Sequence, residues 1–148
     1  MNININREAT ILLVEDDPGH ARLIEKNLRR YVANEIIKLS DGQQAVDFLF
    51  CEGAYAQSVR PSPLVVLLDL NMPVLDGFHV LKRMKENSRT RRIPVIILTS
   101  TDDAREVSKC YDLGCNVYIT KPVDYEKFCD AIQKLGLLIS IVMLPNGE

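Results

Sequence analysis

The sequence predicts an α/β protein: an open, doubly wound sheet of five parallel strands with helices on both faces. Three observations lead there. Strand-like apolar runs alternate with helix-like amphipathic segments five times along 148 residues, as right-handed crossovers between parallel strands require. The runs are continuously apolar rather than alternating, as strands covered on both faces are. Most of them end in polar or charged residues, which would gather on one edge of a parallel sheet.

The elements follow in chain order. "ATILLVE" (9–15) reads as a buried strand. "DPGHARLIEKNLRRY" (17–31) reads as a helix with Pro18 in its first turn and Ala21, Ile24 and Leu28 on one face. "EIIKL" (35–39) is a weaker second strand, and "SDGQQAVDFLF" (40–50) a helix capped by Ser40 or Asp41. Residues 52–63 form a longer loop with Gly53, Pro61 and Pro63. "LVVLLD" (64–69) is the third strand, and "DGFHVLKRMKE" (76–86) a helix opened by Asp76 and Gly77. "IPVIILTS" (93–100) is the fourth strand, and "DDAREVSKCYDLG" (102–114) a helix closed by Gly114. "VYIT" (117–120) is a short fifth strand, and "DYEKFCDAIQKLG" (124–136) the last helix.

Composition narrows the function classes. The chain is 47% apolar, enough for one core without disulfides or structural metal. A net charge of -2 argues against a nucleic-acid groove, and Arg89, Arg91 and Arg92 read as a solvated helix end. Cys51, Cys110, Cys115 and Cys129 form no CxxC pair and read as reduced thiols of a cytosolic protein. The start "MNININRE" is polar, unlike a signal peptide. No window reaches the roughly 18 apolar residues of a membrane span. The expectation is a soluble, cytoplasmic chain of one domain, with a core over about 9–135 and an apolar extension over 136–148.

The chemistry lies at the strand ends. Strand one ends in Glu15, Asp16 and Asp17, strand three in Asp69, strand four in Thr99 and Ser100, and strand five leads into Lys121 and Pro122. Open α/β sheets bind ligands at that edge. Crowded carboxylates repel unless a hard cation joins them, and Mg²⁺ takes one or two carboxylates while keeping waters that a phosphate can displace. Asp16 and Asp69 are the natural direct ligands. Glu15 is placed to hold a metal-bound water, and the backbone carbonyl of Asn71 to complete the set. With Lys121 and the Thr99 hydroxyl, these groups surround a phosphoryl-sized volume in which Asp69 is the candidate nucleophile. Asp17 reads instead as the cap of the first helix. His20 and His79 read as solvated or packed histidines, so the chain is expected to receive phosphate rather than donate it.

The motifs "ILLVEDD" (11–17), "LLDLNMPVLDG" (67–77), "IPVIILTS" (93–100) and "YITKP" (118–122) together resemble the response-regulator receiver domains of two-component signalling. The resemblance covers about 9–135. It implies a flavodoxin-like sheet of order 2-1-3-4-5, with Asp69 as phosphoacceptor and Glu15 and Asp16 as the acidic pair. It also implies Mg²⁺ on Asp16, Asp69 and the Asn71 carbonyl, Thr99 and Tyr118 as the switch pair, Lys121 on the phosphate, and a cis Lys121–Pro122 bond. The insertion 51–63, the absence of an output domain after the receiver-like region and the apolar tail "LGLLISIVMLPNGE" (135–148) resemble the small stand-alone regulators paired with bacterial phytochromes. The implied donor is a sensor histidine kinase. The tail is expected to fold back or, preferably, to join the last helix and fifth strand in a homodimer.

Three rivals remain at this point. An aspartate phosphatase needs Asp-x-Asp, and the second position here is Asn71. A receiver acting as a phosphorylation-independent scaffold would not need a complete site. A flavodoxin-like carrier would need a phosphate-cradling glycine loop, for which Pro18-Gly19 is a weak match.

Overall fold

The computed structural model describes residues 9–141. Five parallel strands alternate with five helices: β1 (Thr10–Val14), α1 (Pro18–Leu28), β2 (Ile36–Leu39), α2 (Gly42–Phe50), β3 (Leu64–Leu68), α3 (Gly77–Glu86), β4 (Val95–Thr99), α4 (Ala104–Leu113), β5 (Val117–Thr120) and α5 (Tyr125–Ile141). The sheet order is β2-β1-β3-β4-β5, as expected. The three inner strands are buried throughout, whereas edge strands β2 and β5 are partly exposed.

The double winding follows from the pleat. Leu12, Val14, Val66, Leu68, Val95 and Ile97 point to one face and pack with Val46, Leu49, Leu81 and Met84 of α2 and α3. Their neighbours Ile11, Leu13, Val65, Leu67, Ile96 and Leu98 point to the other and meet Ile24 and Leu28 of α1 and Phe128 and Ile132 of α5. A continuously apolar strand thus feeds two cores, each fully buried Leu or Ile contributing roughly 1.5–3 kcal/mol.

Side chains fix where the helices start. Asp17 accepts from the backbone N–H of Gly19 and His20, Asp41 from Gln44, Asp76 from His79 and Asp103 from Arg105. Asp17 is therefore a cap, as read from the sequence, and Asp41 rather than Ser40 caps α2. Gly114 closes α4 with a left-handed φ of 107°.

Two expectations need correction. The last helix does not stop at Gly136 but runs on to Ile141. A Cβ on Gly136 would stand 3.4 Å from both Leu28 and Tyr31, so this glycine lets α5 lie close on α1. Leu135 and Ile139 carry the buried stripe of Phe128 and Ile132 onward. The remainder of the apolar tail, 142–148, lies outside the described residues. In the expected loop, Gly53–Tyr55 forms a 3₁₀ turn, and Tyr55 packs edge-on against Phe48. Arg60 donates to the carbonyls of Leu49 and Arg89. Cys110 and Cys115 are buried free thiols, and Cys51 and Cys129 are half-buried and free.

Candidate functional site

Parallel pairing brings the strand ends together. Val14 pairs with Leu68 and Thr99 with Thr120. The next residue of β1 is Glu15, of β3 Asp69 and of β5 Lys121. Ladder bonds continue into these residues: Asp69 N–H donates to Val14 O at 3.1 Å, and Lys121 N–H to Thr99 O at 2.7 Å. The loop after Asp69 then turns sharply. Leu75 N–H donates to Pro73 O, with Val74 held at a φ of 69° between them, a strained conformation for a β-branched residue. Gly77, the first residue of α3, packs so closely that a Cβ there would stand 2.3 Å from Asp69 O.

Lys121 is the centre of the site. Its Nζ lies 2.5 Å from Glu15 Oε1 and 3.1 Å from Asp69 Oδ2. All three side chains are buried, while Asp16 beside them is exposed. A buried ion pair is held by its geometry, since desolvation opposes it. Burial raises Glu15 to about 7; the hydrogen bond from Lys121 opposes this and the charge of Asp69 adds to it.

The same edge fits a hard cation. One carboxylate oxygen from each of Glu15, Asp16 and Asp69 lies within 4.8 Å of the other two. Octahedral Mg²⁺, with ligands at about 2.1 Å, places them about 3 Å apart when adjacent and about 4.2 Å when opposite. A small closure, or a water between Glu15 and the ion, therefore suffices. The donors are all hard oxygens, which is what Mg²⁺ and Mn²⁺ take.

On the far side, Asn71 N–H donates to Asp69 Oδ1 at 3.2 Å. Asn71 Nδ2 makes long contacts with Thr99 Oγ1 (3.5 Å) and Thr101 Oγ1 (3.4 Å). Thr99 is fully buried, and Ser100 is exposed next to it. Tyr118 is half-buried against the α2–α4 core, and its hydroxyl donates to Thr101 O at 2.6 Å. Among the described residues the cis peptide bond is Ser62–Pro63. The Lys121–Pro122 bond, expected to be cis by resemblance, is trans, the lower-energy state of an X–Pro bond.

The structure thus brings Glu15, Asp16, Asp69, Asn71, Thr99 and Lys121 to one rim, with Tyr118 one contact further out through Thr101. Two residues that the sequence leaves without a site role also reach this rim. Thr101 lies two residues beyond Thr99 in the polar run "TST", a signal that was present but weak. His20, three residues after the α1 cap, places Nδ1 3.2 Å from Lys121 Nζ, a partner 101 positions away.

Comparison with known proteins agrees with this geometry. The response regulator receiver domain pattern matches residues 11–133. Response regulator Rcp1 of Synechocystis sp. is 36% identical over 147 residues, 98% of this chain and 99% of Rcp1. Its Mn²⁺-bound crystal structure is similar at a TM-score of 0.86 over 93% of this chain and 99% of that one. A receiver domain from Rhodospirillum rubrum is 54% identical, with a TM-score of 0.88 over 95% of this chain and 99% of that one. The phosphorylated cyanobacterial phytochrome response regulator RcpA is 34% identical, with a TM-score of 0.85 over 93% and 99%. With the motifs, the strand order and the acidic rim all in agreement, the chain belongs to the response regulator receiver domain family.

Proposed function

We propose that this chain is a phosphoryl-accepting switch, in which Asp69 takes a phosphoryl group from a sensor histidine kinase. The observation that carries it is Lys121 Nζ bridging Glu15 and Asp69, beside Asp16, across 106 and 52 positions of sequence. Those groups are the minimum for holding and neutralising a phosphoryl group on a carboxylate.

Asp69 presents a carboxylate oxygen to phosphorus, and the new O–P bond forms as the N–P bond of the donor breaks, its imidazole leaving with the bonding pair. Lys121 exchanges its contact with Asp69 for a phosphoryl oxygen while remaining on Glu15. The Thr99 hydroxyl donates to another oxygen, at the expense of its long contact with Asn71. Mg²⁺, held by Asp16 and Asp69 with Glu15 and the Asn71 carbonyl, supplies the remaining charge neutralisation when bound. Asn71 provides no carboxylate at the position a phosphatase uses as acid-base, so turnover of free esters is not expected.

The signal is read from the face formed by α4, β5 and α5, where Tyr118 and Thr101 connect the site to the surface. A partner detects it as a change in the population of two shapes; a shift from 1:99 to 99:1 takes about 5.5 kcal/mol. Likeness to RcpA over nearly the whole of both chains supports a bacterial phytochrome as the kinase. Half-exposed Leu137 and Leu138 on α5 support a homodimer through the last helix and tail. Among the described residues no helix is long and apolar enough to cross a membrane, which fits a cytoplasmic place beside the kinase, and the charge of -2 fits a protein rather than a nucleic-acid partner.

The test is phosphotransfer from phytochrome kinases, and labelling by acetyl phosphate with Mg²⁺, on wild type and Asp69→Asn. A hydroxylamine-sensitive label on wild type alone is expected. Undiminished labelling of Asp69→Asn refutes the assignment.

A further inference from the structure

The ring of His20 belongs to the site although the phosphoacceptor chemistry above gives it no part. An alkylammonium has three N–H donors and no acceptor. Lys121 Nζ has three acceptors around it: Glu15 Oε1 at 2.5 Å, Asp69 Oδ2 at 3.1 Å and His20 Nδ1 at 3.2 Å. Because the ammonium can only donate, Nδ1 faces it with a lone pair, and the ring proton sits on Nε2.

Two further contacts hold the ring there. The backbone N–H of His20 is fixed in the α1 cap, donating to Asp17 Oδ1 at 3.1 Å. The ring meets Phe128 of α5 edge-on, with centroids 5.5 Å apart and planes at 81°. Asp17 Oδ2, at 3.9 Å from Nδ1, is beyond hydrogen-bond reach. His20 therefore spans the start of α1, the start of α5 and the lysine that leads from β5.

We propose that His20 is a positioning residue that aims Lys121 at the phosphoryl group. The proposal rests on the phosphoacceptor reading. With Glu15 and His20 each taking one N–H, rotation about the Cε–Nζ bond is fixed. The third N–H then has one direction left, toward Asp69 and any phosphoryl oxygen built on it. A donor already aimed needs no reorganisation as charge develops in the transition state. Without the Nδ1 acceptor the ammonium turns to share that N–H with water, and the lysine meets the phosphoryl group less often in the right direction. The cost falls on the rate of phosphoryl transfer, and Mg²⁺ binding is unaffected because no metal-binding oxygen is changed.

Two substitutions in the intact chain separate acceptor from ring. His20→Phe keeps the edge contact with Phe128 and removes the acceptor. His20→Asn removes the ring and restores an acceptor oxygen near the place of Nδ1. With acetyl phosphate and saturating Mg²⁺, His20→Phe is expected to be phosphorylated about 3- to 10-fold more slowly, and His20→Asn within about 2-fold of wild type, as one directed charge-assisted hydrogen bond warrants. Equal rates for wild type and His20→Phe overturn the proposal, as does equal slowing of the two variants. The ¹⁵N spectrum of the wild-type imidazole is a direct check that depends on neither variant folding: an unprotonated, hydrogen-bonded Nδ1 is expected, and a proton on Nδ1 overturns the contact. Asp69→Asn keeps the two readings apart. If it is labelled like wild type, the acceptor assignment falls, whereas the ¹⁵N measurement still decides whether His20 holds Lys121.

Discussion

Glu15→Gln is expected to flatten the pH dependence of stability between about pH 4.5 and 7. Burial carries the Glu15 carboxyl from its ordinary 4.5 to about 7, against the Lys121 hydrogen bond and with the help of the Asp69 charge. Between those values the folded chain keeps a proton that the unfolded chain has lost. The contribution to stability is therefore complete below pH 4.5, falls as pH rises, and is gone above about 7. Carried across that window at about 1.4 kcal/mol for each pH unit, it amounts to about 3 kcal/mol. Two other carboxyls act in the opposite sense but in a different range. Asp17 is held below its ordinary 3.8 by the His20 N–H, and at Asp76 burial is outweighed by hydrogen bonds from His79; both lose their contribution only as pH falls below about 4. Gln keeps an acceptor for Lys121 and cannot titrate. Mg²⁺ requires the ionised carboxylate, so its affinity for wild type should climb through pH 7 with release of a proton, and binding then restores stability by mass action. Urea unfolding of both proteins from pH 5 to 8, with and without Mg²⁺, measures this. Parallel curves for wild type and Glu15→Gln, or a Mg²⁺ affinity indifferent to pH, refute the reasoning.

Two further outcomes follow from the same geometry. Lys121→Met removes the cation between two buried carboxylates and should cost about 3–5 kcal/mol near neutral pH. Mg²⁺ should recover more stability in this variant than in wild type, and urea unfolding in which both gain equally from Mg²⁺ rejects the assigned pairing. Gly77→Ala places a Cβ 2.3 Å from Asp69 O and 2.8 Å from Leu70 Cα, backbone atoms that no side-chain rotation can clear. A loss of about 1–3 kcal/mol together with slower labelling by acetyl phosphate is expected, and wild-type values in both assays contradict it.

What was legible in the sequence was local. The strand VYIT (117–120), the Asp17 and Asp76 caps and the Gly114 stop each depend on a few adjacent residues, and the structure keeps them where they were read. The rim was legible because parallel topology turns strand ends into neighbours, whatever their separation in sequence. What escaped was set by distant packing. Gly136 has the local look of a helix stop, yet the closeness of Leu28 and Tyr31 makes it a packing glycine within a longer helix. His20 reads as a solvated or packed histidine, and only the fold shows that what it packs on is Lys121 and Phe128. Arg60 sits in a stretch that reads as plain loop, and its anchoring to the carbonyls of Leu49 and Arg89 has no counterpart in the loop's own composition.

The distances also bear on whether the site is a switch or an inert scaffold. From Asp69 outward, contacts run through Asn71 N–H (3.2 Å), Asn71 Nδ2 to Thr99 and Thr101 (3.5 and 3.4 Å), Thr101 O to the Tyr118 hydroxyl (2.6 Å), and Tyr118 N–H to the Tyr111 hydroxyl (3.1 Å). The two bonds from Asn71 Nδ2 are at the weak limit of hydrogen bonding, and the Tyr118 bond is short and strong. Burial holds the Tyr118 phenol up to about 12, so it remains a donor at any physiological pH. A phosphoryl group on Asp69 would thus take the Thr99 hydroxyl at little expense, whereas Tyr118 follows only if the Thr101 carbonyl moves with its chain. On the proposed reading, the loose contacts lie where phosphate would arrive and the firm one where a partner would read it. An inert scaffold has no need of that gradient, nor of a lysine buried between two carboxylates at a cost in desolvation.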